Sequence, residues 1–157
     1  MIFYYTASKK TKVFAEALRD ILNLPLYELK SKLNEKKAFG FMMHALYLAV
    51  TGKTYPVSNM PEKIEGGEIY LCAPVWGGNA AGPAWFFLNN AELKNVKVNL
   101  LLTCGSAVSA EKYRKKGLES LRLADCVPGD VYVFITGNTD KLPEPDIAAE
   151  HIREMLP

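Results

Sequence analysis

The chain has 157 residues, 49% hydrophobic and 23% charged, and its 19 Lys and Arg against 17 Asp and Glu leave a net charge of +2. This length and balance suit a single folded domain over 1–157 with a substantial core, and they exclude a disordered chain. So mild a charge gives no general pull toward nucleic acid or an anionic membrane, and neither is expected as a partner.

Residues 2–5 form a short apolar run, and "YTASKKTKVFAEAL" follows from residue 5. A turn alone would be built from Gly, Asn or Pro. Here Thr6, Ser8 and Thr11 put three hydroxyls at the mouth of a helix instead. Ser8 would serve as an ordinary N-cap, and the same hydroxyls, unpaired amides and positive dipole end also suit an anion. Val13, Phe14, Ala17, Leu18 and Ile21 then share one helical stripe. A weaker strand is expected at 26–30, behind Pro25.

The apolar stretch 38–50, "AFGFMMHALYLAV", is too short for a spanning helix, which needs about 20 residues. It reads as a helix that is buried or faces a partner. Further strands are expected at 68–73, 96–103 and 127–135, where continuous apolar runs suit a sheet covered on both faces. Helices are expected at 80–90, 110–121 and 146–156. In these, Trp85, Phe86 and Phe87 read as core, and Lys112, Lys115 and Lys116 as a solvated face.

Strand and helix thus alternate, as in a doubly wound, three-layer α/β sheet. Ligands in such sheets bind outside the C-terminal strand ends. Three loops there are rich in small or hydroxyl-bearing residues: 6–11, 74–83 ("PVWGGNAAGP") and 103–109 ("TCGSAVS"). An anion-ready helix mouth, a tryptophan beside glycines and a small polar loop could hold a planar ring with a phosphate tail. Cys72 reads as buried filler within its strand, and Cys104 as packing rather than a redox thiol. Three cysteines without a CxxC pair, and two isolated histidines (His44 and His151), point to neither disulfides nor a metal site. The first residues enter a strand at once, so no signal peptide is expected, and the cytoplasm is the expected compartment.

On these motifs the whole chain resembles the flavodoxin family, in its short-chain form. "YTASKKT" is similar to the family's phosphate loop, "APVWGGNAAGP" to its first flavin loop and "LLLTCGS" to its second. The resemblance implies five parallel strands in the order 2-1-3-4-5 and flavin mononucleotide (FMN) as cofactor. Thr6, Ala7, Ser8, Lys9, Lys10 and Thr11 would cradle the phosphate. Pro74, Val75, Trp76, Gly77, Gly78 and Asn79 would line the ring, with Trp76 stacked on it, and Thr103, Cys104, Gly105 and Ser106 would face them. Lys9-Lys10 replaces the family's Gly-Asn, so a lysine would occupy any position there that needs positive φ.

The implied function is electron transfer to or from redox protein partners, by a monomer or weak homodimer with no catalytic residue of its own. The family's carriers are usually strongly acidic, and this chain is not. Two alternatives stay open: an NAD(P)H-dependent FMN or quinone reductase on the same scaffold, and a flavodoxin-like module that has lost flavin binding.

Overall fold

The computed structural model describes residues 1–32, 40, 43–44, 47, 51, 53–64, 67–137 and 141–156. Most of the expected 38–50 helix lies outside these residues, although Gly40, Met43, His44 and Tyr47 are helical. The main strands are β1 (Ile2–Tyr4), β2 (Leu26–Glu28), β3 (Glu68–Trp76), β5 (Lys97–Cys104) and β6 (Val127–Ile135). They form a parallel sheet in the order β2-β1-β3-β5-β6. This is the expected 2-1-3-4-5 order once a short extra strand, β4 (Asn79–Ala80), is set aside. That strand folds back antiparallel on β3, pairing Trp76 with Asn79. Between them Gly77 and Gly78 take φ of 55° and 88°, a two-residue turn with positive φ at both central positions.

Helices that cover the sheet among the described residues include α1 (Lys10–Leu22), α2 (Gly82–Asn90), α3 (Ala110–Leu123) and α4 (Pro145–Met155). The strand residues divide between the two faces with period two, which is why the strands read as unbroken apolar runs. Phe3, Ile69, Leu71, Leu100 and Leu102 join Phe87, Leu88 and Leu121 on the α2–α3 side. Ile2, Tyr4, Cys72 and Leu101 meet Phe14, Leu18, Ala148 and Ile152 on the α1–α4 side. α1 stops at Asn23, whose left-handed φ of 50° ends the helix. α2 starts with Pro83 in its first turn, where the missing N–H costs nothing.

A buried amide interrupts the apolar run of β5. Asn99, in the middle of β5, is 2% exposed. The pairing of β5 with β6 slips between Val98 and Leu100, leaving a bulge around Asn99. Its amide closes the gap. Nδ2 donates to Glu68 Oε1 at 2.9 Å, and Oδ1 accepts from the backbone N–H of Asp130 at 2.9 Å. Gly129 lies against this amide so closely that a Cβ there would also stand 2.7 Å from the Val98 carbonyl.

Candidate functional site

The C-terminal ends of β1, β3, β5 and β6 converge on a cleft of about 300 Å³, lined by Ser8, Lys10, Pro74, Val75, Thr103, Cys104, Gly105, Thr136 and Gly137. Residues from all three loops singled out in the sequence meet here. A larger space of about 730 Å³ lies between α1 and α4, on helix faces away from the strand ends. It opens on mixed charges, including Glu16, Arg19, Asp146 and Arg153, and carries none of the chemistry that the loops bring together.

The first loop differs from the expectation at Ser8. Lys9, not Ser8, is the N-cap of α1, and no side chain caps the helix. Lys9 has φ 64° and ψ −9°, in the left-handed region. The position that favours glycine is therefore occupied by lysine, at a cost of about 1–2 kcal/mol for a residue with a Cβ. A left-handed residue amid successive amides is how the backbone builds a concave anion seat. Ala7, Ser8 and Lys9 are exposed, and among the described residues their amides have no hydrogen-bond acceptor. We expect Lys9→Gly to stabilise the fold by about 0.5–1 kcal/mol, the relieved strain less the extra chain entropy of glycine. A urea midpoint that stays put or falls would show that the Lys9 side chain offsets its own strain.

Thr6 and Thr11 are buried, at 7% and 1% exposure. The Thr11 hydroxyl lies 2.7 Å from that of Thr103, so it ties the first turn of α1 to the end of β5. Two hydroxyls share one bond here, which leaves the pair one further proton to donate. Lys10 Nζ donates to the Gly137 carbonyl at 2.9 Å, fixing its ammonium across the cleft wall.

The loop after β6 was missing from the sequence-based site. Thr136 donates its N–H to the Cys104 carbonyl at 2.8 Å and its hydroxyl to the same oxygen at 3.2 Å. Gly137 turns beside it with φ 69°. The signal was present as "TGNTD", a turn sequence directly after an apolar strand at the same end of the sheet.

From the other two loops, Pro74, Val75 and Gly105 line the cleft at the ends of the neighbouring strands β3 and β5. Trp76 stands edge-on to Tyr5, with ring centroids 5.7 Å apart and planes at 86°. Gly78 and Asn79 turn away toward α3, where a Cβ on Gly78 would meet Lys116 Nζ at 3.4 Å. The Cys104 thiol donates to the Ser106 carbonyl at 3.3 Å. Burial pushes this thiol above its ordinary pKa, ahead of the opposing pull of the Ser106 backbone, so it is held as the thiol. Cys72 is wholly buried and its thiol is raised by desolvation alone. Ser106 Oγ accepts from Val108 N at 3.4 Å and shapes the turn that leads into α3.

No protein-family model matches the chain, and no curated protein is significantly similar to it. Solved structures are similar over its whole length. A protein described as a flavoprotein from Bacteroides uniformis superposes with a TM-score of 0.75 at 14% identity, covering 98% of this chain and 96% of that one. A second such protein, from Bacteroides eggerthii, gives 0.70 at 14% identity over 98% and 95% of the two chains. The fold is flavodoxin-like. A flavoprotein from Lactobacillus acidophilus, solved in complex with FMN, matches with a TM-score of 0.66 at 19% identity over 84% of this chain and 90% of that one. Among the described residues no helix is long and apolar enough to cross a membrane, and no cluster of His, Cys, Asp or Glu could hold a metal ion.

Proposed function

We propose that this protein binds FMN in the strand-end cleft and exchanges electrons with protein partners. The observation that carries the reading is a single cleft joining three kinds of surface. They are the mouth of α1 at Ser8, beside the amides of Ala7 and Lys9 that have no acceptor among the described residues, the ammonium of Lys10, and a lining of Pro74, Val75 and Gly105. These surfaces suit a phosphate, its negative charge and a planar ring.

When bound, FMN supplies the redox chemistry, taking up and releasing electrons in its ring. The chain does the rest. The loop 6–11 holds the phosphate through backbone N–H groups, the Ser8 hydroxyl and the helix dipole. Lys10 adds charge without moving, because Gly137 already orients it. Pro74, Val75 and Cys104 exclude water along the ring, and that low dielectric disfavours added negative charge there. Gly105, without a side chain, leaves room for close approach. Trp76, next to Val75 in the chain, packs edge-on against Tyr5 and is not part of the cleft lining.

Gel filtration after incubation with FMN tests the binding: one flavin should travel with each chain, and a colourless protein fraction would contradict it. With flavin loaded, NADH or NADPH alone should leave the visible spectrum unchanged. Bleaching by either nucleotide would assign the protein to the reductases instead.

A further inference from the structure

The basic residues of the chain are unevenly placed. α3 carries Lys112, Arg114, Lys115, Lys116 and Arg122 against Glu111 and Glu119, five cations less two anions, or +3 on one helix against +2 for the whole protein. The remaining residues therefore sum to −1, from +2 less +3. Among the described residues, none of these five cations forms an ion pair. Tyr113, Gly117 and Leu121 turn toward the sheet, so Lys112 and Lys115 stand outward with Lys116 half-exposed beside them.

The turn that feeds this helix is unusual in a second way. Val108 is 94% exposed. Isolated exposed apolar residues are common and by themselves mean nothing. Val108, however, follows Gly105 of the cleft wall by three positions and precedes Lys112 by four. Ser106 Oγ holds the amide of Val108, so the side chain is presented rather than tucked away. Val108 thus stands beside Glu111 and about one helical turn before the cations of α3, and an exposed apolar residue next to a charged face is the composition of a small docking patch.

We propose that the Ala107–Ser109 turn and the outer face of α3 form a docking surface for an acidic redox protein. This rests on the flavin reading of the cleft, because its value is to bring the partner's redox centre to the rim at Gly105. Charge complementarity selects the partner class. Acidic carboxylates would meet Lys112, Lys115 and Lys116, while a small apolar side chain covers Val108. Such contacts govern encounter rate and orientation more than lifetime, as a carrier that must let go requires. Nucleic acid would use the lysines but would leave Val108 uncovered.

The test uses isotope-labelled protein and an acidic plant-type ferredoxin in its oxidised form, followed by amide chemical shifts with and without FMN. The expected result is weak binding, with a Kd of about 0.1–1 mM at low salt, that shifts Val108, Lys112, Lys115 and Lys116 and fades as salt is added. Lys112→Glu/Lys115→Glu should weaken it about tenfold or more. Lys30→Glu/Lys94→Glu, the same charge change elsewhere on the surface, should change it less than about twofold. No shifts on this face, equal losses in both variants, or tighter binding there of duplex DNA or anionic vesicles would overturn the proposal. A parallel FMN titration, read on the Ser8 and Gly105 amides, reports on the flavin site independently, so failure of either reading is seen separately.

Discussion

Ser8→Glu is expected to weaken FMN binding about a hundredfold and to leave riboflavin binding unchanged. Ser8 lines the cleft, is exposed and caps nothing, so its replacement disturbs no packing and no helix bond. A carboxylate about 5 Å from a phosphate dianion, at an effective dielectric of about 40, costs about 2–3 kcal/mol, which is about a hundredfold in affinity. Riboflavin lacks the phosphate and should not register the new charge. Titrations at low salt measure both constants. Equal losses for the two ligands would place Ser8 near the ring, and no loss for either would remove the phosphate from this loop.

The second large effect concerns the fold. Asn99→Leu should destabilise the protein by about 2–3 kcal/mol, although it puts an apolar side chain into an apolar sheet. The change leaves the Asp130 N–H facing the bulge without its acceptor and takes a donor from the Glu68 carboxylate. The deficit should also depend on pH. The Asn99 amide first, then Lys97, holds the Glu68 carboxyl below its ordinary pKa. A lowered carboxyl pKa contributes stability that is present above the ordinary value and lost as pH falls through the folded one. The gap between wild type and Asn99→Leu should therefore narrow in acid, modestly, because Glu68 is 45% exposed and screened by solvent. Urea unfolding at neutral and acid pH gives both numbers. A more stable Asn99→Leu protein would mean that the bulge closes without the amide.

How much of this was legible in the sequence depends on the kind of interaction. The strands were, because alternate residues of each are buried on opposite faces and the runs read as apolar throughout. That three loops of odd composition meet at one cleft follows from their shared place at the strand ends, where such sheets gather ligands. Thr136 and Gly137 follow the fourth of these strand ends, and a Thr-Gly pair there carries only the composition of a turn.

The Thr11–Thr103 hydroxyl pair spans 92 positions, and nothing local to either residue announces it. The left-handed Lys9 was foreseeable only by resemblance, since lysine itself argues against positive φ. Ser8 illustrates the converse: its capping propensity is real, but the chain enters α1 one residue later. Asn99 and the facing Pro128-Gly129 were signs of a bulge that composition alone does not pair.

The central claim is that the strand-end cleft recognises FMN through its phosphate. Titrating the purified, flavin-free protein with FMN and with riboflavin under identical conditions tests it most directly. The account predicts one site per chain and FMN binding at least about a hundredfold tighter, the difference supplied by the charge-assisted bonds of the 6–11 loop. Equal affinity for the two flavins, or no binding of either, would contradict it.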